Sequence, residues 1–293
     1  MLGAYARKLG DHRIELEISR SSEEDYLSRG VALSDTWEIN EKNTTLSYGF
    51  NYLDDNVSVP ILGIRDKKSY DFFFGVNQII DKNTLVSASV TLGYNDGYLN
   101  DPYKSVQRTD IESVPDGEGG FIDIPVVNLY KENRPDSRFR QVVQLGGRHY
   151  FEAAKGALDG TYRFGHDDFG VTSHTLQLEW RQSIGEKLEV TPFVRYYHQT
   201  AADFYMRTID GVAVTTPSSD PDGSGPNYSA DYRLSAFNAL SGGIKVHYQF
   251  NETFSATAAY EHYAMDGSGG SDSAPDDAYI SADMFTFGIK ADF

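Results

Sequence analysis

The sequence predicts an all-β chain, a transmembrane antiparallel up-and-down β-barrel of about twelve strands. Three observations predict it. Apolar and polar residues alternate with period two along almost all of the 293 residues; the connections sort into tight charged turns and long Gly/Pro/Asp-rich loops; and the chain finishes on the alternating aromatic run "MFTFGIKADF". Composition agrees. Tyr (20) and Phe (17) are plentiful while Met (4) is scarce, a balance that favours strands. Charged residues at 24% and the lack of an apolar run of about 18 residues exclude a bundle of membrane helices. No cysteine is present, which fits an oxidising compartment reached without need of disulfides. A net charge of -17 and a mean hydropathy of -0.46 are compatible with membrane insertion, because only every second residue of a barrel strand meets lipid.

In chain order the strands are expected at 12–20, 27–39, 44–54, 68–80, 84–98, 137–151, 158–168, 171–184, 188–202, 232–250, 254–265 and 279–293. The first carries Arg13, Glu15 and Glu17 on one face. In the fifth, Val86, Ala88, Val90, Leu92 and Tyr94 oppose Ser87, Ser89, Thr91 and Gly93. The sixth and seventh place Arg140, Arg148 and Arg163 on the polar face. The eighth sets Leu176, Leu178, Trp180 and Ile184 against Gln177, Glu179 and Arg181. Arg195 marks the polar face of the ninth, and Lys245 that of the tenth, opposite Leu240, Ile244, Val246, Tyr248 and Phe250. Glu261 and Lys290 complete the polar row in the last two.

"INEKNTTL", "IIDKNTLV", "SIGEKLEV" and "QFNETFSA" place an Asn, Asp or Gly beside a charge between two strands, as tight hairpins require. The opposite end carries long loops at 99–136, 203–231 and 266–278, so residues 1–293 read as one barrel domain with long extracellular loops. A soluble sandwich has no reason to sort its connections in this way. Residues 101–136, 203–231 and 266–278 each carry a net -4, together -12 of the -17, which disfavours nucleic acid and favours divalent cations. Residues 1–9 read as the lower half of a further strand, and the start lacks a signal-peptide pattern, so a complete parent is expected to have about fourteen strands.

Four groups of residues carry functional expectations. Thr286, Gly288, Ala291 and the terminal Phe293 resemble the C-terminal signal read by the outer-membrane barrel-insertion machinery, which places the C-terminus in the periplasm of a Gram-negative bacterium. Asp220, Asp222, Ser224 and Asp231 fall at positions one, three, five and twelve of a calcium-loop pattern, with Gly225 at six, making calcium the one candidate cofactor. His166, His174 and His198 are expected on adjacent outward rows, placed to ligate a metal or to meet lipopolysaccharide phosphates, or to serve as ordinary members of an interfacial belt facing outer-membrane lipid. Inside, Arg163, Gln177 and Arg195 are expected at one height, beside Glu179 and Arg181. These five form an anion-selective constriction or a lumen closed by ion pairs. The narrowness of about twelve strands and the inward Phe73, Phe193, Tyr197 and Phe237 favour closure.

No G-x-S-x-G, H-E-x-x-H or phosphate-binding glycine loop occurs, so an enzyme, including an outer-membrane hydrolase, is not expected. The stretches "EKNTTLSYGF" (41–50), "GYLNDPYKSV" (97–106), "ENRPDSRFRQ" (132–141), "DDFGVTSHTLQLEW" (167–180) and "RYYHQTAADFY" (195–205) resemble recurring motifs of an uncharacterised Gram-negative barrel family, domain of unknown function 3570. The resemblance implies an outer-membrane location. It also implies coding near a periplasmic thioredoxin-like protein, a small lipoprotein and a flavin transferase, hence a periplasmic partner in a redox or flavin-linked envelope system. Two functions follow as expectations: a pore or transport barrel for small solutes, or a plugged barrel that anchors or exports partners in an envelope assembly.

Overall fold

Alternation of this kind has one stable outcome in lipid. Every backbone amide pairs with a neighbouring strand, and each strand shows one face to each side. The computed structural model describes residues 1–210, 217 and 220–292. Within them the strands are β1 (Leu2–Leu9), β2 (His12–Ser22), β3 (Tyr26–Ile39), β4 (Thr44–Val59), β5 (Gly63–Asp81), β6 (Thr84–Gly97), β7 (Ser105–Pro115), β8 (Phe121–Lys131), β9 (Ser137–Phe151), β10 (Gly156–Asp167), β11 (Thr172–Ile184), β12 (Leu188–Gln199), β13 (Phe237–Gln249), β14 (Phe254–Gly267) and β15 (Ser281–Ala291). Thirteen of them form one up-and-down antiparallel sheet in which sequence neighbours pair, except that β6 pairs with β9. The hairpin β7–β8 stands apart as its own two-stranded sheet. The chain folds as a transmembrane β-barrel of the outer-membrane type.

The expected strands are found, and three expectations need correction. The main sheet has 13 strands: one at each of the twelve expected places, and residues 2–9, which pair with β2 along their whole length, from Leu2↔Ser19 to Leu9↔His12, as the expected further strand. The segment 99–136 contains a hairpin. The strand expected from 232 starts at Phe237, because Tyr232–Leu234 form a single 3-10 turn whose first amides are capped by the Asp231 side chain. The strand expected to run to 202 ends at Gln199.

Registers make the outward face continuous. The row Leu16, Leu33, Phe50, Phe72 and Leu92 runs directly across β2 to β6, and Leu145, Tyr162, Leu176, Tyr196 and Leu240 run across β9 to β13. Aromatics fringe both ends, as lipid interfaces favour. Tyr52 packs tilted on Tyr70 at 5.1 Å and Tyr70 stacks on Tyr94 at 6.4 Å, while Phe151 meets Trp180 and Tyr248 meets Phe250 near the short turns, at 5.7 and 5.0 Å. Even the carboxylates on this face are held. Asp35 accepts from the Tyr48 hydroxyl at 2.6 Å and lies 2.7 Å from His12 Nδ1, and Asp283 likewise lies 2.9 Å from both the Tyr260 hydroxyl and His262 Nδ1.

A spanning strand needs about 9–11 residues. At 16 and 19 residues, β4 and β5 continue past that thickness towards the long loops. The short-turn end is finished by Gly10, Gly185 and the left-handed run Asn40, Glu41 and Lys42, the backbone conformations that tight antiparallel reversals demand.

The buried core lies in the loops rather than in the sheet. Tyr228, Ile209, Val106, Glu132 and Asp231 are at most 1% exposed. Three apolar clusters organise it: Phe169, Val171, Ala202, Phe204, Tyr205, Leu234 and Ala274; Val106, Ile209 and Tyr228; and, at the loop ends of β4 and β6, Val57, Val59 and Tyr98. The hairpin β7–β8 is tied to the segment after β12 by bridges from Gln107 to Thr208 and from Asn133 to Tyr228. Gly170, at φ +84°, permits the approach of Asp203, whose carboxylate would collide with an added Cβ. These contacts make a packed cap at one end of the barrel.

Candidate functional site

Side chains from several separate loops and strand ends meet in the cap and in the lumen beneath it. At the end of β8, Glu132 is buried and accepts from the Asp101 amide at 2.5 Å and the Ser229 hydroxyl at 2.6 Å. Arg134 bridges it to Asp231. Its Nε lies 2.7 Å from Glu132 Oε1, and its Nη2 donates to Asp231 Oδ2 at 2.7 Å. Arg233 donates to both Asp231 oxygens at 3.0 and 2.8 Å and also to Asp101. Burial alone would raise the Asp231 carboxyl, but the Arg233 hydrogen bonds and the Arg134 charge outweigh it and hold the group below its ordinary value of 3.8. For Glu132 burial wins over Arg134, and its carboxyl is raised above 4.5. Tyr98, where β6 leaves the sheet, is pushed up to about 12, chiefly by burial and next by Glu132.

Below this network lies a cavity of about 690 Å³, into which Asp25, Tyr26, Lys67, Asp71, Arg138, Arg140 and Arg233 project. A second of about 240 Å³ shares Asp71, Arg138, Arg140 and Arg233 and adds Arg163, His166 and Asp167. A third of about 340 Å³, on the inner face of β11 to β15, is lined by Gln177, Glu179, Phe193, Arg195, Lys245, Glu261 and Thr286, among others. Charges of both signs meet throughout: Arg138 donates to Asp167 at 2.9 Å, Arg148 to Asp159 at 2.7 Å, and Arg181 lies 3.7 Å from Glu179.

The five expected lumen residues are therefore split. Gln177 pairs directly with Arg195, but its other neighbour is Thr161; Arg163 pairs with Thr175, two residues further along β10. The expectation of one shared height is corrected by that register. Gln177, Glu179 and Arg195 line the third cavity, with Gln177 donating to Glu179 at 2.9 Å, whereas Arg163 lines the second.

His174 and His198 are direct cross-strand partners, as expected, and His166 pairs with Thr172. Each ring is engaged elsewhere: His174 Nδ1 with the Tyr162 hydroxyl at 2.7 Å, His198 Nδ1 with Asn238 at 2.9 Å, and His166 Nδ1 with Thr172 at 3.1 Å. Nor do the four calcium-loop residues converge. Asp220 takes a bidentate pair from Arg65 at 2.7 and 2.8 Å, Asp222 caps Ser224, and Asp231 belongs to the arginine network. Among the described residues no group of three His, Asp or Glu side chains comes together as a metal set. Of the C-terminal signal, Thr286 faces the lumen within β15, while Gly288 and Ala291 lie further along that strand. Phe293 lies outside the described residues.

Sequence reasoning missed the Glu132–Arg134–Asp231–Arg233 network, because acidic, Gly/Pro-rich loops look solvated. A signal was present. Glu132, Arg134, Arg138 and Arg140 all sit in "ENRPDSRFRQ", Asp101 in "GYLNDPYKSV", and Asp167 and Phe169 in "DDFGVTSHTLQLEW". Stretches far apart in sequence that share such dense polar wording meet at one place.

The model of a family described as a protein of unknown function (DUF3570) matches residues 3–63 and 60–275. Among solved structures the chain is similar to the siderophore receptor PirA from Pseudomonas aeruginosa, with 11% identity over 90% of this chain and 44% of that one, at a TM-score of 0.57. It is also similar to the closed form of the ferric-catecholate import receptor Fiu from E. coli K12, with 12% identity over 98% of this chain and 53% of that one, at a TM-score of 0.54. The chain thus spans about half the length of these receptors. At such identity the likeness is one of fold. No curated protein matches the sequence.

Proposed function

We propose a transport function for this chain, which belongs to the DUF3570 family: an outer-membrane pore for small solutes, covered at its outer mouth by a folded cap. The short turns face the periplasm and the long, acidic connections face outward. The observation that carries the reading is the run of polar cavities on the inner face. The upper two share Asp71, Arg138, Arg140 and Arg233, and Arg195 and Lys245 lie beyond them. A scaffold needs no such space along its axis.

A second reading, a plugged barrel that anchors or exports a component of an envelope assembly, is favoured by one observation: the cap is packed and ion-paired like a domain core. Swelling of proteoliposomes in an isosmotic sugar separates the two. Folded protein that admits arabinose faster than empty vesicles supports the pore; rates equal to empty vesicles support the plug.

A further inference from the structure

The charge of this protein is unevenly placed. The whole chain carries -17, and the acidic excess is concentrated in the long connections. The 240 Å³ cavity reverses this, with four guanidinium groups, of Arg138, Arg140, Arg163 and Arg233, against the carboxylates of Asp71 and Asp167. Both carboxylates are poor neutralisers of the space between them. Asp167 is committed, accepting from Arg138 and from the backbone amides of Phe169 and Val171 at 3.1 Å. Asp71 lies 3.9 Å from Arg140, at the limit of an ion pair. Arg233 is held by Asp231 and Asp101 at the rim. Arg163 has neither an ion pair nor a hydrogen bond among the described residues.

We infer that this cavity is a binding site for a small oxyanion, a carboxylate or phosphate group, received by Arg163 and Arg140 with Arg138 and Arg233 flanking it. The inference rests on the transport reading and gives it a substrate class. A planar guanidinium presents parallel N–H donors that match a carboxylate or phosphate edge, and Arg163 has all of its donors available. Gathering like charges in a confined space is unfavourable, and an entering anion relieves the repulsion while adding hydrogen bonds. The 690 Å³ cavity above shares both Arg138 and Arg140, so an anion reaching the outer mouth meets these side chains on its way in. Beyond, Arg195 and Lys245 form no ion pair among the described residues and share the third cavity with Glu179 and Glu261, so the excess of positive charge is confined to the arginine cavity. The acidic loops outside would slow anion entry, which makes the internal arginines the selective element rather than a general attractant.

The test is isothermal titration of the full chain, folded in detergent as shown by heat-dependent gel mobility, with sodium phosphate and separately with sodium succinate at low ionic strength. Saturable binding of at least one anion is expected, weakened about tenfold or more in Arg163→Gln, consistent with loss of a charge-assisted bidentate pair. Arg163→Lys is expected to recover part of it, and Lys82→Gln, at an exposed short turn, to bind as the wild type does. Which anion binds tells whether the site reads carboxylate or phosphate. Heat from neither, or equal affinity in Arg163→Gln, overturns the inference. Binding needs no conduction, so a barrel that binds but admits no solute refutes only the transport reading, and one that admits solute but binds neither anion refutes only this one.

Discussion

Replacing Arg134 with methionine is expected to open the cap while leaving the barrel folded. Methionine keeps much of the side-chain volume but strands Glu132, whose side chain is 1% exposed, and leaves the fully buried Asp231 to Arg233 alone. Removing one partner of a buried ion pair costs about 3–5 kcal/mol, because the remaining charge loses its compensation. That loss falls on the loops, where the apolar clusters around Tyr228 and Phe204 hold the segment after β12 against the hairpin β7–β8. Limited proteolysis should cut Arg134→Met within 220–236 under conditions that spare that stretch in the wild type, while gel mobility of the unheated protein stays that of the folded form. An uncut variant would mean that apolar packing alone secures the cap.

The same network gives the cap a pH dependence with two limbs. Asp231 has a depressed value, so its contribution is complete above its ordinary 3.8 and is lost as pH falls through the lower folded value. Glu132 has a raised value, so its contribution is complete below 4.5 and declines as pH rises through the higher folded value. Protection of the cap amides against hydrogen exchange should therefore be greatest in mildly acid solution, and Glu132→Gln should flatten the limb on the alkaline side.

The second large effect is expected on the other face. Phe50 lies in the outward row between Leu33 and Phe72 and is 48% exposed. Exposure of that kind in the middle of a strand is explained by lipid. An arginine facing the bilayer midplane costs about 2–4 kcal/mol, so Phe50→Arg should lower the fraction that folds into vesicles and shift the urea midpoint down. Asn51→Arg, one residue along, on the inner face and opposite Asp71, should fold like the wild type. Equal folding of the two variants would contradict the assignment of faces.

Much of this architecture is legible in the sequence because a barrel strand is specified locally. Period two fixes which side of the sheet each residue faces, and the hairpin turns fix the register, so that Gln177 opposite Arg195 and His174 opposite His198 follow from the turn at 185–187. The height of Arg163 was not legible in the same way, because it depends on where the turn at 168–171 reverses the chain. The cap was less legible still. Asp101, Glu132, Arg134, Asp231 and Arg233 are brought together from separate loops, and no periodicity records contacts made across about 100 residues of chain. The acidic character that suggests hydration is in part the counter-charge of buried arginines.

The central claim, a conducting lumen beneath a folded cap, is tested most directly by single-channel recording in a planar bilayer, with wild type and Arg134→Met each shown beforehand to be folded. Discrete conductance steps are expected from the wild type, with longer open times in Arg134→Met as the cap loosens. Silence from both folded, inserted proteins would contradict the claim and make the barrel a closed scaffold.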